Sequence, residues 1–156
     1  MKLKVDHLDR AIIECLQENS RMPCTEIAKR IGNVPARTVR SRLKRLLDRG
    51  IIDISTGVLP WAIGFPIMAD IMIRVEAGKL PDVIERLSEL DQVYYLALST
   101  GDCDISAATA ATDLDSLQDF VTETLHAIPG ISTTRVNILT RILRQSYDWQ
   151  LPEQLP

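Results

Sequence analysis

Pro35-Ala36-Arg37-Thr38-Val39-Arg40-Ser41-Arg42-Leu43-Lys44-Arg45-Leu46-Leu47-Asp48-Arg49-Gly50 reads as an amphipathic helix, and its setting decides the fold of the first third of the chain. At 100° per residue Val39, Leu43, Leu46 and Leu47 share one stripe, while Arg37, Ser41, Lys44 and Arg45 cluster on the opposite face. Six of these sixteen residues are basic and only Asp48 is acidic. An ordinary solvated face mixes signs and pairs them four residues apart. One dominant sign predicts a helix lying between an apolar core and a polyanion.

Upstream, Leu8, Ala11, Ile12, Cys15 and Leu16 form a helical stripe over about 6–18, ended by Asn19 and Ser20. A shorter helix is expected over 24–31, burying Ile27, Ala28 and Ile31, with Gly32 just past its end. Pro35 suits a first helical position, whose N–H has no intrahelical partner. Two short helices joined by a Gly-containing turn, the second basic, predict a helix-turn-helix. Gly50 stops the third helix, and Ile51-Ile52-Asp53-Ile54 reads as a strand leaving it.

Downstream the period changes. Val58 to Pro66 holds Pro60, Trp61, Gly64 and Pro66, the composition of a stiff, partly apolar connector. Ile67, Ala69, Ile71, Ile73 and Val75 then alternate with Met68, Asp70, Met72, Arg74 and Glu76, a strand with one strongly apolar face. A helix over 80–90, strands over 93–100 and 105–112, a helix opened by Asp113 and Asp115 and ended by Pro129-Gly130, and a last strand over 133–146 follow. The order strand, helix, strand, strand, helix, strand is the ferredoxin-like βαββαβ arrangement, so the fold class is α+β. Leu139 and Leu143 on one side of the last strand, with Val136, Ile138 and Ile142 on the other, imply a sheet apolar on both faces. A second copy is the natural cover, which predicts a homodimer through this body. The expected domains are 1–50 (helix-turn-helix), 51–66 (strand and connector), 67–148 (ferredoxin-like body) and 149–156 (tail).

Charge divides the same way. The net −3 conceals 12 basic against 6 acidic residues over 1–50, and 6 against 15 over the remainder. Only the basic third is suited to phosphate, because an acidic surface is repelled from it. The first residues carry no apolar signal core and the longest apolar stretch is broken by Pro60 and Pro66, so a soluble cytoplasmic protein with no membrane partner is expected. Three widely spaced cysteines, Cys15, Cys24 and Cys103, suit neither a disulfide framework nor a zinc knuckle, and no cofactor or metal is expected.

The chain resembles the Lrp/AsnC (feast/famine) transcriptional regulators from about Asp6 to Trp149. The resemblance rests on Leu8-Asp9 with Ile12-Ile13, Ile27-Ala28 with Ile31-Gly32, Thr38-Val39 with Arg42-Leu43, Leu46, Gly50-Ile51-Ile52, Gly101-Asp102 with Asp104, and Leu125 with Ile128-Pro129-Gly130-Ile131. It implies a DNA-binding head, a ligand-binding ferredoxin-like body, dimers that often assemble into tetramers or octamers, and control by an amino acid or similar small metabolite. The third helix resembles the recognition helix. Arg37, Thr38, Arg40 and Ser41, near its N-terminus, then face base edges of double-stranded DNA, and Lys44, Arg45 and Arg49 face phosphates. Arg42, beside the apolar stripe, is expected to brace the head. Thr100-Gly101-Asp102-Cys103-Asp104 resembles the family's effector loop, in which Gly allows close approach and a carboxylate can bind an ammonium group. Thr134 matches a threonine of the same pattern. Pro23 and Pro35 stand where many members have a Ser or Thr cap, and Cys103 stands where an aromatic residue is frequent.

Two other functions use the same residues. An architectural protein that coats DNA would use the same basic head without sequence preference. An enzyme would use Asp102 and Asp104 as paired acids; the tetrapyrrole-decarboxylating relatives of the family rely on His and Arg near the central strands, whereas His7 and His126 fall on predicted helices and Tyr94-Tyr95 has no His beside it.

Overall fold

A computed structural model describes residues 5–143, and the chain divides into two compact units at Gly57/Val58. The first holds α1 (His7–Glu18), α2 (Cys24–Arg30) and α3 (Ala36–Asp48). Ile12, Ile27, Val39 and Leu46 are fully buried where the three helices meet, so the predicted stripes face one core, except that Leu47 of α3, expected on the stripe, stays exposed. Asp6 caps α1 reciprocally: its carboxylate accepts from Asp9 N–H at 2.9 Å, and the Asp9 carboxylate accepts from Asp6 N–H at 3.1 Å. Pro23 and Pro35 occupy the cap positions of α2 and α3 with no side-chain bond. Pro35 therefore sits one residue before the first helical position expected for it.

The strand expected at 51–54 does not form. Gly50, at φ +62°, reverses the chain, Gly50 N–H donates to Leu47 O and Ile51 N–H to Leu46 O, both at 2.9 Å. This Schellman closure points the backbone back at α3, and Ile51 and Ile52 pack on the head core instead of pairing with another strand.

The second unit opens with a 3₁₀ turn at Pro60–Ile63, where Val58, Trp61, Ile63 and Phe65 remain exposed. It continues through β1 (Ile67–Val75), α4 (Leu80–Ser88), β2 (Val93–Leu98), β3 (Ile105–Ala111), α5 (Leu114–Asp119) with a π turn over Phe120–Leu125, and β4 (Ile131–Ile138). The sheet is antiparallel in the order β2-β3-β1-β4, the ferredoxin-like order. Ile71, Ile73, Ile105 and Ala107 pack with Val83 and Leu87 of α4 and with Phe120 and Leu125. The π turn matters to that core. Leu117 and Leu125, eight residues apart, would be about 80° out of register on a regular helix, yet both are buried.

β4 is shorter than expected. Leu139 N–H still donates to Met68 O, but Leu143 lies beyond the strand and is 88% exposed, so it adds nothing to a second apolar face. Residues 144–146 of the expected strand and the 149–156 tail fall outside the described residues. Register places Met68, Met72, Ala108 and Ala110 on the face away from the helices, with Asp70, Arg74, Arg135 and Asn137 among them. That face is mixed rather than wholly apolar. Among the described residues no helix is long and apolar enough to cross a membrane.

Candidate nucleic-acid interface and effector loop

The outer side of α3 follows from its helical phase. Arg37, Arg40, Ser41, Lys44 and Arg49 are exposed and Thr38 is half-buried. Lys44 Nζ bonds Asp48 at 2.7 Å, an exposed i,i+4 pair worth only about 0.3–0.5 kcal/mol and readily exchanged for a phosphate. Among the described residues Arg37, Arg40 and Arg49 make no ion pair.

The flank of α3 is different. Asp9 is fully buried, and its carboxylate accepts from Arg42 Nη1 at 3.2 Å and from Arg45 Nη2. Arg42 Nη1 also bonds the Asp6 carboxylate. Arg45, expected at a phosphate, has its guanidinium on a buried carboxylate of α1, whose charge it neutralises together with Arg42. Arg42 makes the bracing contact expected of it. The Asp9 backbone N–H, together with the Arg42 guanidinium, holds the Asp6 carboxyl below its ordinary value against an opposing effect of burial. Asp9 was the residue that helical periodicity overlooked. An acid three residues before Ile12, inside the apolar stripe, was its signal.

Before α3, Gly32 and Asn33 both adopt left-handed backbone, φ +102° and +59°. Five residues, 31–35, thus separate α2 from α3.

In the body, Thr100, Gly101 and Asp102 are exposed at the β2–β3 turn, and Cys103 is buried beneath them. Gly101 needs its φ of +112°, which other residues rarely adopt. Asp104 faces inward instead: its N–H donates to Ile73 O at 3.0 Å and its Oδ2 accepts from Val75 N–H at 2.9 Å, beside the β1 bulge at Arg74/Val75. Asp104, expected as an effector-binding carboxylate, has that oxygen on a backbone donor which the bulge removes from the ladder. Arg74 Nη2 donates to Gly101 O at 3.1 Å and so ties β1 to the loop.

Thr134 is not brought to the loop. It pairs with Ile73 on the helix-facing side of β4, with β1 between it and β3, and its hydroxyl is bonded to His126 Nε2 at 2.8 Å. The loop as built offers one outward acid, Asp102, one outward cation, Arg74, and backbone polar groups.

Two family models match, an AsnC-type helix-turn-helix domain over residues 5–47 and an Lrp/AsnC ligand-binding domain over residues 68–149. An uncharacterised HTH-type transcriptional regulator of Pyrococcus abyssi is 39% identical over 94% of this chain and 92% of its own length. The HTH-type transcriptional regulator AldR of Mycobacterium tuberculosis is 30% identical, covering 90% and 80% of the two chains. Among solved structures, E. coli AsnC superposes with a TM-score of 0.84 at 27% identity, over 92% of this chain and 97% of that one. A Neisseria meningitidis transcriptional regulator in complex with L-Met shares the fold, with a TM-score of 0.84 at 23% identity over 94% and 97%.

Proposed function

The chain belongs to the Lrp/AsnC family of helix-turn-helix transcriptional regulators, and from that premise we propose that it reads specific DNA sites as a homodimer or a larger assembly under control of a small metabolite. The observation that carries the reading is the division of labour on α3. Arg37, Arg40, Ser41 and Lys44 face outward while Arg42 and Arg45 are held by Asp6 and Asp9. Arg37, Thr38, Arg40 and Ser41 meet base edges in the major groove, and Lys44 and Arg49 meet phosphates. Paired heads then bind half-sites about 34 Å, one helical turn, apart.

The effector is an amino acid or a similar small metabolite held against Thr100-Gly101-Asp102, with Asp102 taking the ammonium group. An L-Met complex of a protein with the same fold supports that chemical class. Footprinting on the DNA upstream of the protein's own coding region, with and without each of the twenty amino acids, tests both parts. Discrete protected half-sites support regulation. Uniform protection of all sequences supports a coating protein instead, and a footprint indifferent to every amino acid removes the effector class.

A further inference from the structure

The cleft between α2 and the start of α3 carries polar groups that the head itself does not use. Thr25, Ala28, Lys29, Asn33, Val34 and Ala36 line about 240 Å³ of open space. Ala28 is buried and Val34 and Ala36 are half-buried, so the floor is apolar. Thr25, Lys29 and Asn33 are exposed at the rim, and among the described residues their side chains take part in no hydrogen bond or ion pair.

Helical spacing joins this cleft to the outward face of α3. Thr25 and Lys29, four residues apart, are neighbours on one ridge of α2. Ala36, Arg40 and Lys44 form a ridge of α3 by the same spacing, so the cleft opens beside Arg40. Asn33 reaches it from the turn. At φ +59° it is the one non-glycine residue with left-handed backbone among the described residues. Asn tolerates that conformation better than most residues, but Gly adopts it freely. A turn needing only the backbone is served by a second glycine after Gly32, whereas the amide also brings two N–H donors to the cleft.

We propose that the cleft binds a phosphate of the DNA backbone, with Lys29 supplying the charge and the Asn33 amide and Thr25 hydroxyl supplying neutral hydrogen bonds. This rests on the reading of α3 given above: with the N-terminal end of α3 in the major groove, α2 crosses the flanking backbone. Lys29 is the sole charge lining the cleft, and Glu26 of the same helix is not part of it, so the site selects an anion. A phosphate held there carries no sequence information but sets the register at which Arg37 and Arg40 meet the bases.

The test titrates the full-length protein, at several salt concentrations, against duplex DNA from upstream of its own coding region and against a random-sequence duplex of equal length. Lys29→Ala is expected to weaken both by the same factor, roughly tenfold, and to reduce the salt slope by about 0.9. Asn33→Gly, which keeps the turn and the melting temperature, weakens both by a smaller factor and leaves the slope unchanged. Arg86→Ala, which removes an exposed charge from the body, changes neither. The double variant Arg37→Ala/Arg40→Ala reports on α3 by losing the preference for the upstream duplex. If Lys29→Ala and Asn33→Gly bind as the unaltered protein does while that double variant loses its preference, the proposal is overturned and the reading of α3 stands. Equal effects of Lys29→Ala and Arg86→Ala also overturn it, since net charge then accounts for both. A changed ratio between the two duplexes in Lys29→Ala makes the contact a base contact and overturns the phosphate assignment. A double variant that keeps its preference overturns the reading of α3, and this proposal with it.

Discussion

Arg42 Nη1 lies 3.2 Å from Oδ1 of Asp9, a carboxylate with no exposed surface, so the basic helix α3 is fastened to α1 by the same residue type that it offers to DNA. Asp9→Ala removes the shared acceptor of two guanidiniums and half of the α1 capping box. The head is expected to lose about 3 kcal/mol, the low end for breaking a buried pair, because both arginine side chains are about one-third exposed and can rehydrate. Urea denaturation followed by circular dichroism measures it.

The outer and flanking arginines separate in a DNA titration. Arg37→Ala or Arg40→Ala is expected to cost roughly 1–3 kcal/mol of discrimination at particular base pairs. Lys44→Ala weakens all sequences and reduces the salt slope by about 0.9. Arg45→Ala lowers the melting temperature but leaves the salt slope unchanged. A salt slope altered by Arg45→Ala returns that residue to the phosphate contacts.

Acid unfolding reports on Asp6. Its folded pKa lies below the ordinary 3.8, so its contribution is complete above that value and disappears as pH falls below 3.8 through the folded value. Stability measured across pH 2–5 is expected to drop for the native head, and Asp6→Asn to flatten that acid limb.

Gly130 and Gly101 both sit at positive φ but predict different penalties. A methyl at Gly130 meets Lys79 Cβ at 2.6 Å and Val83 Cγ2 at 3.2 Å, whereas one at Gly101 meets nothing within 4 Å. Gly101→Ala is expected to cost about 1–2 kcal/mol of backbone strain. Gly130→Ala adds an overpacking cost of about 1–3 kcal/mol against α4. Thermal denaturation of the two variants orders them.

Local chemistry made most of the fold legible. Asp6 and Asp113 sit at helix starts, Gly50 and Pro129-Gly130 close elements, and the alternation from Ile67 to Val75 names the buried face. The failures share a cause. Ile51 to Ile54 has strand composition, but whether a strand forms depends on a neighbour to pair with, and Gly50 folds the Ile51 and Ile52 N–H groups onto Leu46 O. Arg45 falls with Lys44 on the outer face by helical phase, and its partner, Asp9, is known only once α1 and α3 pack. Asp104 matched the pattern of a ligand-binding turn equally well whether its oxygen faced a ligand or Val75. Thr134 was grouped with the loop by motif, and strand order separates them.

The π turn over Phe120–Leu125 is where the second body helix absorbs one extra residue. Removing one residue within it would restore i→i−4 bonding and leave Leu117 and Leu125 seven positions apart, about 20° from alignment, so that both keep the same stripe and the Asp113 cap keeps its place. A single-residue deletion, which elsewhere in a helix rotates one half against the other, is thus best tolerated at this turn.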